Sequence, residues 1–133
     1  PDYAVLSAPI DVILAETEIR QPDLVIIKNE RLSIITKRGI EGPPDLVVEV
    51  LSPTSAKRVR QQKLLVYAKY LIAEYWIVDI NNGLLEQYLF ENGAYILSEI
   101  YKEDEPVRSK QIPCISFSMR QIINGIPELP NYK

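Results

Sequence analysis

The sequence predicts a mixed α/β (α+β) fold: a mixed β-sheet with one long helix packed on it and a short C-terminal helix. Three observations predict it. Apolar runs of strand length recur, as in DLVIIK (23–28), LVVEVL (46–51) and EYWIVDI (74–80). Between the second and third lies a stretch from about Ser55 to Leu71 without Gly or Pro, entered through Pro53 and Thr54. The ten prolines and five glycines fall mainly between the apolar runs, as turn residues should.

The elements follow in order. Ile10 to Ala15 reads as a strand, and Asp23 to Lys28 as a second one introduced by Pro22. Arg31 to Thr36 reads equally as a short strand or a turn of helix, closed by Gly39, Gly42, Pro43 and Pro44. Asp45 to Leu51 is the third strand. The long helix comes next, then the strand Glu74 to Ile80. Asn82-Gly83 turns the chain into LLEQYLF, and Asn92-Gly93 turns it again into AYILSEI. Near the end Ser118 and Gln121 make a capping-box pair for a short helix that Gly125 can close. No internal repeat or low-complexity segment interrupts this order.

With 133 residues, 47% hydrophobic and 25% charged, the expectation is one globular domain over residues 1–133. No apolar run approaches the roughly 20 residues that span a bilayer, so no membrane partner is expected. No N-terminal stretch resembles a signal peptide. The chain begins at Pro1 without Met, as a fragment or trimmed product would. The single cysteine, Cys114, precludes an internal disulfide and fits a reducing, cytoplasmic setting. There is no histidine. That excludes Ser-His-Asp and Cys-His nucleophile systems and nearly all zinc sites. Chemistry is left to carboxylates, Lys, Arg, Tyr or a hard metal ion held by oxygen.

The net charge of −3 hides a pattern. Residues 1–54 carry nine acids and five bases, and residues 74–133 the same. Residues 55–73 carry five bases, Lys57, Arg58, Arg60, Lys63 and Lys69, and no acid. Such an island can meet a polyanion, or it can be the solvated face of a helix.

Glu49 is the residue that asks for an explanation. Its neighbours Leu46, Val47, Val48, Val50 and Leu51 are apolar on both sides, the composition of a covered strand. A carboxylate there costs several kcal/mol unless it is paired with a cation or a metal. Asp23 opens the run DLVII in the same way; alone it reads as a strand-start aspartate. If the two strands are neighbours, about 4.8 Å apart, their carboxylates can converge on one ion. Asp45 is a weaker candidate: it lies about 13 Å along the strand from Glu49 at ~3.3 Å per residue.

On a helical wheel of about 100° per residue, Arg58, Gln62 and Lys69 form the polar arc. Ala56, Leu64, Tyr67, Tyr70 and Leu71 lie opposite, and Lys63 falls among them; Arg60 falls there too, nearer the helix start. From Glu49 to Ser52 the strand advances about 10 Å. A helix folding back returns about 10.5 Å from Ala56 to Lys63, so Lys63 comes level with Glu49. The spacing admits two readings. One is a buried Glu–Lys ion pair. The other is a metal-dependent phosphodiesterase site in which Asp23, Glu49 and the Val50 carbonyl hold Mg²⁺, with Lys63 beside the attacking water. Tyr67, Tyr70, Tyr75 and Trp76 read as core.

The stretches RQPDLVII, GPPDLVVEVLSPTSAKR, QQKLLVYAKY and AEYWIVDI, in order over residues 20–80, resemble the Uma-two family of putative restriction endonucleases, within the PD-(D/E)XK nuclease superfamily. The later hairpins and the IP before the last helix fit as well. The resemblance implies a restriction-endonuclease-like sheet and a DNA endonuclease that hydrolyses phosphodiester bonds with Mg²⁺ or Mn²⁺. Matched onto this chain, the signature Asp is Asp23 and the Glu is Glu49. The lysine's usual place two residues on holds Leu51, and the family places it instead on the helix, at Lys63. The chain departs from the family at Val59, where an acid is usual, and near Leu71, where Gly is usual. The helix that often precedes the first strand is expected to be missing before Pro1.

The expected function is therefore a metal-dependent endonuclease with Asp23, Glu49 and Lys63 as catalytic residues. Asp23, Glu49 and Val50 are its metal ligands, and Lys57, Arg58 and Arg60 its phosphate contacts on DNA. A homodimer would suit cutting of both strands. The rivals are a catalytically inactive nuclease fold that binds DNA or protein, and an interaction module with no nucleic-acid role. Cleavage, salt-sensitive binding without cleavage, and no binding at low salt distinguish the three.

Overall fold

The computed structural model describes residues 2–51 and 64–125. Its centre is a six-stranded sheet built from β1 (Tyr3–Ser7), β4 (Leu24–Lys28), β7 (Leu46–Leu51), β8 (Glu74–Asp79), β9 (Leu84–Glu91) and β10 (Ala94–Lys102). They lie in the order β1-β4-β7-β8-β9-β10. All neighbours are antiparallel except β7 and β8, which run parallel. Parallel neighbours need a crossover, and the chain between them carries the helix Leu64–Lys69. A four-stranded sheet, in the order β3-β2-β6-β5, is made by β2 (Val12–Ala15), β3 (Glu18–Arg20), β5 (Ile35–Thr36) and β6 (Gly39–Glu41). β11 (Pro106–Arg108) pairs with β12 (Ser116–Ser118), which leads into the helix Met119–Gly125.

Strand alternation divides the core into two layers. Leu24, Ile26, Leu46, Val48, Val50, Trp76 and Val78 face one way, under Val107, Ile112, Ile115, Met119 and Ile122. Val25, Ile27, Val47, Leu51, Tyr75 and Ile77 face the other way, under Val12, Ile40, Tyr67 and Ile72. Thus β7 has cover on both sides, and all six of its residues are buried. That is why LVVEVL shows no polar alternation apart from its glutamate.

The mixed sheet and the short C-terminal helix agree with the sequence. Ser118 and Gln121 form the expected reciprocal cap: the Gln121 side chain accepts the Ser118 N–H, and the Ser118 hydroxyl accepts the Gln121 N–H. Asn92 (φ 51°) and Gly93 (φ 88°) both take the left-handed conformation that a two-residue hairpin requires. Asn82-Gly83 instead belongs to a longer connection from Asp79 to Leu84, where the Asp79 carboxylate accepts the Asn82 side-chain amide at 2.8 Å. The ambiguous Arg31–Thr36 stretch is both things in succession, a 3₁₀ helix at Asn29–Ile34 and then β5. Of the long helix expected from Ser55 to Leu71, residues 55–63 lie outside the described residues; the described helix spans Leu64–Lys69.

Leu71 departs from the helical wheel. The wheel puts it in the buried arc, but the helix has already ended and Leu71 is 66% exposed with φ 60°. Its N–H donates to the Ala68 carbonyl and the Ile72 N–H to the Tyr67 carbonyl, both at 3.1 Å. This is the Schellman arrangement, whose left-handed residue is usually glycine. Ile72 then tucks under the helix beside Tyr67, both fully buried.

Candidate active site

β4 and β7 pair antiparallel, with Leu24 opposite Val48 and Val25 opposite Val47. One step further, the register sets Asp23 opposite Glu49. Opposed residues share a face, here the face of Val25, Val47 and Tyr75. The two acids meet there. The Asp23 N–H donates to Glu49 Oε1 at 3.2 Å, and Asp23 Oδ2 accepts the Val50 N–H at 2.7 Å. Pro22 sets this up from the sequence: it ends the ladder, since proline has no N–H to give. The Asp23 side chain takes the Val50 N–H in place of a strand carbonyl. In an extended strand a residue's N–H and C=O leave from the same edge, so the Val50 carbonyl lies on the Asp23 side of β7.

Glu49 is 2% exposed and opposes Ile77 of the parallel strand β8. Around it the face is aromatic. Tyr67, from the helix Leu64–Lys69, stands edge-on to Tyr75 with ring centroids 5.2 Å apart. Tyr75 also contacts Tyr88 and Tyr95. The Tyr95 hydroxyl donates to the Ile72 carbonyl at 2.6 Å and that of Tyr88 to Glu86 at 2.9 Å. The Tyr67 and Tyr75 hydroxyls are buried with no hydrogen-bond partner among the described residues. An unpaired buried hydroxyl costs about 1–3 kcal/mol. Burial raises the pKa of both hydroxyls far above the ordinary tyrosine value, and the charge of Glu49 is the next largest cause in each case. For Tyr67 the guanidinium of Arg20 opposes these effects.

The site thus includes three side chains that the sequence did not single out as functional. Tyr67 and Tyr75 read as core residues, and their rings are core; only the fold sets their hydroxyls on the face of Glu49. Arg20 lies on β3, where it pairs with Glu18 at 2.9 Å. Its position three residues before Asp23 was the available signal. Asp45 plays a different part. Its carboxylate binds Arg31 at 2.9 Å and the Lys28 N–H at 2.8 Å, while Arg31 also donates to the Pro43 carbonyl at 2.7 Å. It pins the 3₁₀ turn to the start of β7, away from Glu49. Lys63, Lys57, Arg58 and Arg60 lie outside the described residues.

Restriction-endonuclease-like families imply a divalent metal. The residues present fit one. Carboxylate and backbone carbonyl oxygens suit a hard cation. A carboxylate oxygen that accepts one N–H keeps a second lone pair. Among the described residues no three His, Cys, Asp or Glu side chains cluster. Two carboxylates are nonetheless enough for Mg²⁺, which keeps several waters and takes substrate phosphate oxygens. No helix among the described residues is long and apolar enough to cross a membrane.

No curated protein matches the chain. Among solved structures it is similar to a putative nuclease belonging to DUF820 from Anabaena variabilis ATCC 29413. The TM-score is 0.69 at 14% identity, over 94% of this chain and 70% of that one. At such identity the likeness concerns the fold alone. The sequence itself carries the closer assignment: residues 1–120 match the Uma2 family, described as "Putative restriction endonuclease", and the chain belongs to that family.

Proposed function

We propose that the protein is a metal-dependent DNA endonuclease that hydrolyses phosphodiester bonds at the Asp23–Glu49 site. One observation carries this reading. Two acids from neighbouring strands share one covered face, tied together through the Asp23 N–H to Glu49 at 3.2 Å and the Val50 N–H to Asp23 at 2.7 Å. Membership of the restriction-endonuclease family supports it.

Asp23, Glu49 and the Val50 carbonyl would hold Mg²⁺ or Mn²⁺. Bound there, the ion would lower the pKa of a coordinated water and polarise the phosphate. The chain's own residues do the rest. The Val50 N–H fixes the Asp23 carboxylate, and the Asp23 N–H fixes that of Glu49, so neither must reorganise during the reaction. Apolar cover from Val47, Ile77 and Tyr67 keeps bulk water from screening them. Lys63 is assigned to orient the attacking water or offset charge on the phosphate. Lys57, Arg58 and Arg60 are assigned to backbone phosphates of DNA, and a homodimer would present two such sites.

The test is nicking of supercoiled plasmid with Mg²⁺ or Mn²⁺. Asp23→Ala, Glu49→Ala and Lys63→Ala should each reduce cleavage by at least about a hundredfold. Cleavage that survives the Asp23 and Glu49 substitutions defeats the assignment. Leu51 at the usual lysine position and Val59 at the usual acidic one favour a second reading, an inactive nuclease fold that binds DNA or protein. It predicts salt-sensitive DNA binding with no nicking and no heat on metal titration.

A further inference from the structure

Four tyrosines crowd the face of the sheet that carries Glu49. Two of them, Tyr88 and Tyr95, have hydrogen-bond acceptors. The other two, Tyr67 and Tyr75, are both 0% exposed, and their hydroxyls lack partners among the described residues. Phenylalanine would fill the same space without burying an unpaired donor. The two tyrosines are also placed together. Their rings meet edge to face at 5.2 Å. Tyr75 opposes Val47 and so stands one alternation from Glu49 on the same face of the parallel pair β7–β8. Glu49 is the largest charge acting on both hydroxyls.

We propose that Tyr67 and Tyr75 are positioning residues for Glu49. Their hydroxyls bind an internal water that in turn donates to the Glu49 carboxylate, holding it toward Asp23. Two hydroxyls and a carboxylate give such a water three partners, the usual number for a buried one. As neutral donors the hydroxyls add no charge that would compete with a cation. The helix Leu64–Lys69 thereby bears on the site directly, because Tyr67 is its buried residue. The proposal rests on the metal-holding role given to Glu49 above.

The experiment titrates Mn²⁺ calorimetrically into the full chain and melts each protein: wild type, Tyr67→Phe, Tyr75→Phe, Glu49→Gln, and Tyr67→Phe with Glu49→Gln. Each Phe variant should bind Mn²⁺ about tenfold more weakly, as loss of an outer-shell partner does, without a lowered Tm. The Tm shift caused by Tyr67→Phe should differ between the wild-type and Glu49→Gln backgrounds. Phe variants that bind Mn²⁺ like wild type, melt higher and show equal Tm shifts in both backgrounds overturn the inference. If wild type binds no Mn²⁺, the metal reading of Glu49 fails instead. Unequal Tm shifts then still uphold the link from hydroxyl to carboxylate, and equal shifts overturn it.

Discussion

Glu49 and Glu74 are both buried glutamates of the central sheet, on opposite faces, and their surroundings give them different work. Glu74 is 0% exposed. Oε2 accepts Trp76 Nε1 at 2.6 Å and Gln87 Nε2 at 2.8 Å. Oε1 accepts the Ser109 hydroxyl at 2.7 Å and the N–H groups of Lys110 and Gln111 at 2.9 Å. Five donors fill a carboxylate's roughly four lone-pair sites, so Glu74 is a clamp for the 109–111 loop and not a ligand. Glu74→Ala should cost about 3–5 kcal/mol in urea unfolding, because it strands several buried donors. A loss under about 1 kcal/mol would show that the loop finds other acceptors. Glu49 was legible in the sequence because apolar residues flank it on both sides. Glu74 was not. It opens its strand, where acids usually meet solvent, and its burial depends on a loop some 35 residues later.

Among the elements, the helix Leu64–Lys69 ends at a cost. A left-handed residue with a side chain loses about 1–2 kcal/mol, and exposed Leu71 has little packing to offset it. Glycine gives back about 0.5–1 kcal/mol through its freer unfolded chain. Leu71→Gly should therefore stabilise the protein by about 0.5–1 kcal/mol in urea unfolding, with the Asp23–Glu49 pair untouched. A destabilised variant would mean that Leu71 packs more than its exposure indicates. The family resemblance implies a glycine near this position, whereas the helical wheel puts Leu71 in the buried arc because periodicity does not say where a helix stops. β1 and β3 were also missed. YAVLS is short and shows no clean alternation despite Pro9 just after it, and a strand of three residues such as EIR is too short to display alternation.

At the scale of the molecule, a sheet covered on both faces places two tyrosine hydroxyls where they cannot ionise readily. Unfolded tyrosines lose their proton near pH 10, while Tyr67 and Tyr75 hold theirs well above it. Above about pH 10 the unfolded chain therefore binds fewer protons than the folded one. Stability then falls as pH rises, by about 1.4 kcal/mol per pH unit for each tyrosine, and below that pH the contribution is fully present. The urea midpoint should bend downward above about pH 10, and Tyr75→Phe should make the bend shallower by about 1.4 kcal/mol per pH unit. An unchanged slope would mean that Tyr75 ionises normally in the fold. The sequence by itself determined the mixed α/β class, the covered central strand, the capping box, the Asn92-Gly93 hairpin and Glu49 as the residue that needs a partner. Each of these rests on local pattern or on the cost of a charge among apolar neighbours. Only the tertiary structure decided that Asp23 faces Glu49, that Asp45 serves Arg31, that Glu74 is a clamp, and that two tyrosines bury their hydroxyls on the sheet face of Glu49. Strand register and the packing of layers bring together residues far apart in the chain, and no local pattern encodes that meeting.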